Sequence, residues 1–259
     1  MRNNQSKLQH NPKSLILEKG YINIYSELNS KEKLQIQKKI IHKQKHPEWE
    51  ETMVFITNKF AELVPQDSVV LDAGCGNGNY VIDENRERIK WAVGVDVMQE
   101  SVVKNICLDE IKITNLETLP FENSSFDAVV SLWVFEHLER PQKVVSEIHR
   151  VLKPGGYFFM CTPNKSFLPI AVLRILKSRG VNYFLNKMLF GREEKDVFET
   201  YYRANTLSDI KKLVNDGFTL ETLKLNYDPS YFIPNIGAAP TLPHILGIWR
   251  CHKPLAGEV

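Results

Sequence analysis

Three glycines at alternate positions follow an aspartate in the segment VVLDAGCGNGN, residues 69–79. The aspartate is Asp72, and the glycines are Gly74, Gly76 and Gly78. Because glycine has no Cβ, such a segment can turn tightly and bring its backbone close to a bound molecule. A carboxylate immediately before the turn would repel a phosphate and attract an ammonium group. The spacing therefore differs from the G-x-G-x-x-G of a dinucleotide site and favours a ligand with an amino-acid moiety.

Two further polar residues stand where later strands are expected to end. Asp96 ends the apolar run Trp91–Asp96, and a carboxylate at that place can accept both ribose hydroxyls of an adenosine. The amide of Asn115 can donate and accept at an adenine edge. Either residue could instead serve as a turn or cap, so the structural alternative stays open for both.

The elements that must position these residues are short apolar runs separated by helix-length stretches. Because consecutive positions are apolar, each run is typical of a central strand buried on both faces. Alternating strands and helices predict a parallel sheet flanked by helices, with ligands at the carboxyl ends of the strands. The predicted strands of this core are residues 68–72, 91–96, 126–131 and 157–161, with a helix over 140–152.

Outside this core, a Lys-rich stretch over residues 30–45 predicts an exposed helix, and residues 49–63 predict an amphipathic helix that ends before Pro65. We predict a flexible tail over residues 1–14 and a single domain over residues 15–259. The domain divides into an N-terminal helical segment (15–65), a ligand-binding core (66–164), an insertion or lid (165–205) and a C-terminal helix with strands (206–259).

Several short motifs occur in order over residues 68–164. They are LDAGCGNG (71–78), GVD (94–96), LPF (119–121) with SFD (125–127), EHL (136–138) and VLKPGG (151–156). Together they resemble the class I S-adenosylmethionine (SAM)-dependent methyltransferases, specifically the small-molecule group. The family usually carries an aspartate where this chain has Asn115.

The resemblance implies an α/β fold: a doubly wound, mostly parallel seven-stranded sheet of the Rossmann-like type, with N-terminal helices and a helical insertion. The last two strands would be antiparallel, near residues 218–225 and 245–251. SAM would lie across the strand ends, with residues 131–133 near its sulfonium. The cofactor-binding residues expected on this basis are Asp72, Gly74, Cys75, Gly76, Gly78, Asp96, Val97, Asn115, Leu116, Leu132 and Trp133.

Three residues are candidates for the acceptor side of a methyl transfer. His137 follows a strand end, and an imidazole is the side chain best suited to general-base catalysis near neutral pH, although a structural role in capping is an alternative. Tyr202 and Arg203 close the insertion and could bind a polar or anionic group, although aromatic packing is an alternative. The apolar and basic stretch 168–177 could form a lid over an apolar acceptor, lie on a membrane surface or simply pack.

Composition and charge limit the kinds of molecule that this chain is expected to bind. The net charge of +2 gives no support to nucleic-acid binding, and no cluster of side chains at metal-ligand spacing occurs. The polar residues 1–11 lack a signal-peptide core, and the scattered cysteines fit a reducing cytosol. We therefore predict a cytoplasmic methyltransferase that uses SAM on a small, apolar or lipid-like acceptor, with peripheral membrane contact left open. The alternatives are a nucleic-acid or protein methyltransferase, a dehydrogenase and a non-catalytic SAM-binding regulator.

Overall fold

Strand formation in the computed structural model follows the apolar runs of the sequence. The structure describes residues 30–103, 105, 107–177, 199–231 and 237–253; the predicted tail (1–14) lies outside them, as does part of the insertion. The helices are α1 (Ser30–Lys45), α2 (Thr52–Leu63), α3 (Tyr80–Glu84), α4 (Pro141–Val151), α5 (Leu168–Lys177) and α6 (Leu207–Leu213). The strands are β1 (Ser68–Ala73), β2 (Ile89–Asp96), β3 (Glu110–Ile113), β4 (Phe126–Leu132), β5 (Leu152–Pro163), β6 (Phe218–Asn226) and β7 (His244–Cys251).

The seven strands form one mostly parallel sheet in the order β3-β2-β1-β4-β5-β7-β6. Strands β1 to β5 are mutually parallel, whereas β7 runs antiparallel to β5 and to β6. Because His244 pairs with both Pro163 and Asn226, β7 begins where β5 and β6 end. We call the edge formed by the ends of β1–β6 and the start of β7 the carboxyl edge. The predicted seven-stranded, mostly parallel sheet with antiparallel strands at its end is confirmed.

Alternate strand residues enter two separate hydrophobic clusters. Leu71, Val129 and Phe158 belong to a cluster that also contains buried residues of α4 and α6. Their neighbours Val70, Ala128 and Phe159 belong to a second cluster with buried residues of α2 and α3. This division follows from the period of two along a strand, so both sets must be apolar in strands covered on both faces.

Helix α1 was predicted to be exposed, and this prediction is wrong for one of its faces. Ile36 is only 4% exposed, and the Lys39 ammonium lies 3.0 Å from Glu51 and 3.7 Å from Asp228. Burial opposes the charge of Lys39, but the two carboxylates raise its pKa. The Lys-rich composition hid this face, because a buried lysine and a solvated one look alike in sequence.

Strand β3 was not among the predicted apolar runs. It consists of four residues that pair with β2 at the edge of the sheet, where Ile113 lies opposite Asp96. An edge strand is covered on fewer sides than a central one and tolerates charged residues, so its sequence EIKI carried little signal.

Gly94 permits the close packing of β2 against the turn that follows β1. A Cβ at this position would lie 2.3 Å from Leu108 Cδ1 and 2.7 Å from Cys75 Sγ. Cys75 is 2% exposed and has no room to retreat without moving the turn that carries it.

We expect Gly94→Ala to lower the free energy of unfolding by about 1–3 kcal/mol, the usual cost of overpacking a closed core. Chemical denaturation monitored by circular dichroism measures the change. Lys90→Ala, at an exposed position of the same strand, is the matched control and should stay within about 0.5 kcal/mol of the wild type. Equal stability of Gly94→Ala and Lys90→Ala would contradict the packing argument.

Candidate active site

The glycine turn after β1 is anchored on the neighbouring strand. The backbone N–H groups of Gly74 and Cys75 donate to the carbonyl of Val95 at 2.8 and 3.0 Å. Gly74 and Gly76 have φ of 84° and 41°, which side chains rarely adopt. A Cβ at Gly76 would meet nothing within 4 Å, so the turn presents bare backbone to open space.

Asp96, at the end of β2, is bound to this turn. One of its carboxylate oxygens accepts the N–H of Gly76 at 3.0 Å, and the other accepts the N–H of Met98 at 2.9 Å. A carboxylate offers about four lone-pair sites, so sites remain for two further hydroxyl donors. The next residue, Val97, is 61% exposed and offers an apolar surface beside the carboxylate.

Asp72 is a buried carboxyl group with one unsatisfied oxygen. Its side chain is 1% exposed, and Oδ1 accepts a hydrogen bond from the Asn79 amide at 2.8 Å. Oδ2 is buried and has no hydrogen-bond partner among the described residues. Burial raises the pKa of Asp72 to about 7, while the hydrogen bond from Asn79 opposes this rise. An ammonium group reaching this oxygen would satisfy it, so the chemistry of Asp72 fits a ligand with an amino-acid moiety.

Asn79 was not identified as a site residue from the sequence. Its amide nitrogen donates to Asp72, while its amide oxygen accepts the N–H of Val81 and caps α3. The available signal was an asparagine directly before a short helix, which is a preferred capping position.

The two predicted residues after β3 differ in their surroundings. The side-chain oxygen of Asn115 accepts the N–H of Glu117 at 2.9 Å within a turn, and the residue is exposed. Leu116 is 5% exposed and lies in the hydrophobic cluster beneath α4. The turn therefore occupies the amide oxygen of Asn115, and the Leu116 side chain contributes to the core.

The end of β4 lies directly against the glycine turn. The Ser131 hydroxyl donates to the carbonyl of Ala73 at 2.9 Å, and a Cβ at Gly74 would lie 2.3 Å from a methyl group of Val134. Leu132 is half-buried, whereas Trp133 is 38% exposed and has a φ of 60°. A bulky residue in the left-handed region is a genuine outlier, and such outliers cluster at functional sites.

His137 is held by the segment that closes the insertion. Its Nδ1 lies 2.6 Å from the carbonyl oxygen of Glu199. Because a carbonyl can only accept, Nδ1 carries the hydrogen and the neutral ring has its lone pair on Nε2. Nε2 lies 3.8 Å from one carboxylate oxygen of Glu136. The Glu136 side chain is buried, and its other carboxylate oxygen accepts a hydrogen bond from the Thr162 hydroxyl.

The backbone of Glu136 also binds the closing segment. Its carbonyl accepts the N–H groups of Tyr201 and Tyr202 at 2.8 and 3.1 Å. The Arg174 guanidinium of α5 lies 5.5 Å from the centre of the Tyr202 ring, and Arg203 is exposed. The structure thus places the segment that carries Tyr202 and Arg203 against Glu136, next to His137 and beyond the end of β4.

A cluster of rings at the start of β7 was not predicted from the sequence. His244 is 8% exposed and lies in a T-shaped arrangement with Trp133 at 5.0 Å. Tyr231 contacts His244 at 6.3 Å and Phe167 at 5.1 Å. No sequence motif marked these residues, because they meet only when β7 aligns with β5.

Two classes of site are absent from the part of the chain that the structure describes. It contains no group of three or more His, Cys, Asp or Glu side chains that could hold a metal ion. None of its helices combines the length and apolarity needed to cross a membrane.

The comparisons with known proteins agree with this geometry. Residues 71–160 match the model of the family described as "Methyltransferase domain". A mitochondrial ubiquinone biosynthesis O-methyltransferase from Dictyostelium discoideum is 29% identical over 61% of this chain and 57% of its own length. A tRNA (carboxymethyluridine(34)-5-O)-methyltransferase from Arabidopsis thaliana is 36% identical over 38% of this chain and 24% of its own length. The chain therefore spans less than two thirds of the length of these curated relatives.

A solved SAM-dependent methyltransferase from Methanosarcina mazei has a TM-score of 0.51 with this chain. The two are 19% identical, over 75% of this chain and 97% of the other. Similarity at this level supports the fold, while the family match covers the segment from Leu71 in β1 to Met160 in β5. Residues 71–160, which contain the glycine turn, Asp96 and the end of β4, are therefore identified as a methyltransferase domain.

Proposed function

We propose that this chain transfers the methyl group of SAM to a small, apolar or lipid-like acceptor. The observation that carries the cofactor half is the unsatisfied, buried oxygen of Asp72 beside a bare glycine turn anchored on Asp96. When bound, SAM supplies a sulfonium methyl group that is already activated toward nucleophiles. The residues of the chain therefore have to bind, orient and exclude water rather than activate the methyl group.

The cofactor residues divide by the part of SAM that they suit. The glycine turn and Asp72 would hold the amino-acid end, where the ammonium group satisfies the buried carboxylate. Asp96 would accept the ribose hydroxyls on its remaining lone pairs, with Val97 against the adenine. The amide nitrogen of Asn115 would donate to the adenine edge, since its oxygen is engaged in the turn.

On the acceptor side, we propose that His137 receives a proton through Nε2. The hydrogen bond from Nδ1 to Glu199 supports this role because it leaves the lone pair on the other nitrogen. Tyr202 and Arg203 would contact the acceptor from the closing segment. Leu132 and Trp133, at the end of β4, would separate the acceptor from the cofactor turn.

The relatives support a small acceptor over RNA, because the match to a small-molecule enzyme covers more of this chain than the match to a tRNA enzyme. The match to the ubiquinone biosynthesis enzyme extends over 188 residues, whereas the match to the tRNA enzyme covers 104 residues. An apolar acceptor is also supported by α5, whose Leu168 and Val172 are 52% and 40% exposed beside the basic Arg174. This surface suits a lipid-like molecule and is our reason for proposing peripheral membrane contact.

The proposed domain organisation follows the same boundaries as the sequence analysis. Helices on both hydrophobic clusters of the sheet support a doubly wound arrangement of residues 66–164. The segments before and after this core would supply the acceptor-specific walls.

Asp96→Ala is expected to weaken binding of SAM and S-adenosylhomocysteine by about 10- to 100-fold, since hydrogen bonds to a charged group are lost. Isothermal titration calorimetry measures the affinities, and NADH should not bind to the wild type. Glu110→Ala is the matched control, because Glu110 is an exposed carboxylate on the adjacent edge strand. Unchanged affinity in a folded Asp96→Ala protein would rule out the assigned ribose contact.

SAM affinity is expected to depend on pH through Asp72. With the pKa of the free carboxyl at about 7, acidification protonates it and removes the partner of the ammonium group. Affinity should therefore fall below pH 7, by up to about tenfold per pH unit, and level off above it. Calorimetry in buffers of different ionisation enthalpy should detect proton release on binding near neutral pH. Asp72→Asn should bind more weakly and lose both effects, and a wild-type affinity that is flat with pH would contradict this assignment.

The acceptor class is tested by transfer of labelled methyl groups from SAM to hydroxylated aromatic compounds, with and without an alkyl chain, and to bulk tRNA. We expect transfer to the small compounds, fastest to those with a chain. His137→Gln should reduce kcat by about 10²-fold or more without changing SAM affinity, because only proton removal is impaired. His149→Gln, a histidine outside this site, is the control. Exclusive labelling of tRNA would overturn the small-acceptor proposal.

A further inference from the structure

His244 is a nearly buried histidine at the carboxyl edge, outside the cofactor turn and the His137 segment. It lies two strands away from β4, yet its ring contacts that of Trp133, which follows β4 directly. Trp133 is 38% exposed and His244 is 8% exposed, so the indole lies between solvent and the imidazole. Tyr231 closes another side of the His244 ring.

A chain of hydrogen bonds fixes which nitrogen of His244 carries the hydrogen. The Asn226 amide nitrogen donates to the carbonyl of Glu50 at 3.0 Å, which sets the orientation of the amide. Its second hydrogen is donated to the Thr52 hydroxyl oxygen at 2.9 Å. That hydroxyl lies 3.0 Å from Nδ1 of His244, and no other acceptor for its hydrogen occurs among the described residues.

The Thr52 hydroxyl therefore donates to Nδ1, and the neutral imidazole carries its hydrogen on Nε2. Burial lowers the pKa of His244, against the opposing effect of Asp228, and this favours the neutral ring. Within the described part of the chain, Nε2 has no hydrogen-bond partner, although the residue is more than nine-tenths buried. This nitrogen is not one of the fully enclosed side-chain atoms without a partner, so its N–H can be reached by a ligand oxygen that accepts from it.

We propose that the Nε2–H of His244 donates a hydrogen bond to an oxygen of the acceptor, whose aromatic ring lies against Trp133. The ring contacts select a flat acceptor, because ring pairs prefer edge-to-face or offset geometry. Thr52 is a positioning residue, since it acts only through the tautomer of His244. The inference rests on the proposed small-molecule function and assigns part of its acceptor site.

The two histidines then have opposite hydrogen-bonding roles. His137 donates from Nδ1 to a carbonyl and presents a lone pair at Nε2, whereas His244 accepts at Nδ1 and presents a hydrogen at Nε2. One is suited to receive a proton from the acceptor, and the other is suited to hold an acceptor oxygen without taking its proton.

Nitrogen-15 NMR of histidine-labelled protein tests the proposal directly. Long-range ¹H–¹⁵N spectra distinguish the two neutral tautomers, and His244→Asn assigns the resonance. We expect the hydrogen on Nε2 in the wild type and a mixture of tautomers in Thr52→Val. In the presence of S-adenosylhomocysteine, phenol should shift the His244 Nε2 resonance, whereas benzene, which lacks the oxygen, should not.

Phenol affinity from the same titration should fall about five- to tenfold in His244→Asn, the effect of losing one hydrogen bond. His149 is the internal control, because its ring contacts Phe218 at the start of β6, away from the carboxyl edge, and it should not respond to phenol. A hydrogen on Nδ1, or no response of His244 to phenol while S-adenosylhomocysteine binds normally, would overturn the inference alone. Failure of S-adenosylhomocysteine to bind the folded protein would instead overturn the proposed cofactor site.

Discussion

The contact between the turn after β1 and the end of β2 is the interaction on which the rest of the site depends. The carbonyl of Val95 accepts two N–H groups of the turn, and the carboxylate of Asp96 accepts a third. The turn can come this close because Gly94 leaves space for the Cys75 side chain. A single strand end therefore fixes both the glycine turn and the Asp96 carboxylate, so the two groups that we propose for cofactor binding keep their relative position.

The same region contains two groups whose native conformation or environment costs free energy. A carboxyl group buried with one oxygen unsatisfied disfavours the ionised form, which is why the pKa of Asp72 rises to about 7. Such a group is tolerated in a folded protein when a ligand of opposite charge repays the desolvation. Trp133, whose backbone lies in the left-handed region, is a second source of local strain at the same edge. Both occur where parallel strands end, which is where α/β sheets bind ligands.

The sequence predicted the central strands and the glycine turn well, because these depend on local features. Glycine spacing, an acid at a strand end and apolar runs all report on backbone geometry within a few residues. The proposed acceptor site depends on contacts between distant segments, as when Asn226, Thr52 and His244 form one hydrogen-bond chain. Helix α1 was misjudged for the same reason, since the partners that bury Lys39 are Glu51 and the distant Asp228. For Asn115 the sequence did not reveal that the side-chain oxygen accepts a hydrogen bond within a turn, and its proposed adenine contact stays a prediction.

The buried ammonium group of Lys39 has a consequence for the mobility of helix α1. It joins α1 to the start of α2 and to the segment after β6, and separating these elements would leave charges uncompensated in a nonpolar environment. Breaking a buried ion pair in this way costs about 3–5 kcal/mol, so α1 opens rarely on its own. Helix α1 is therefore expected to stay packed against these two segments. Any motion of α1 is thus expected to involve the start of α2 and the segment after β6 as well, so that these three parts of the chain move together.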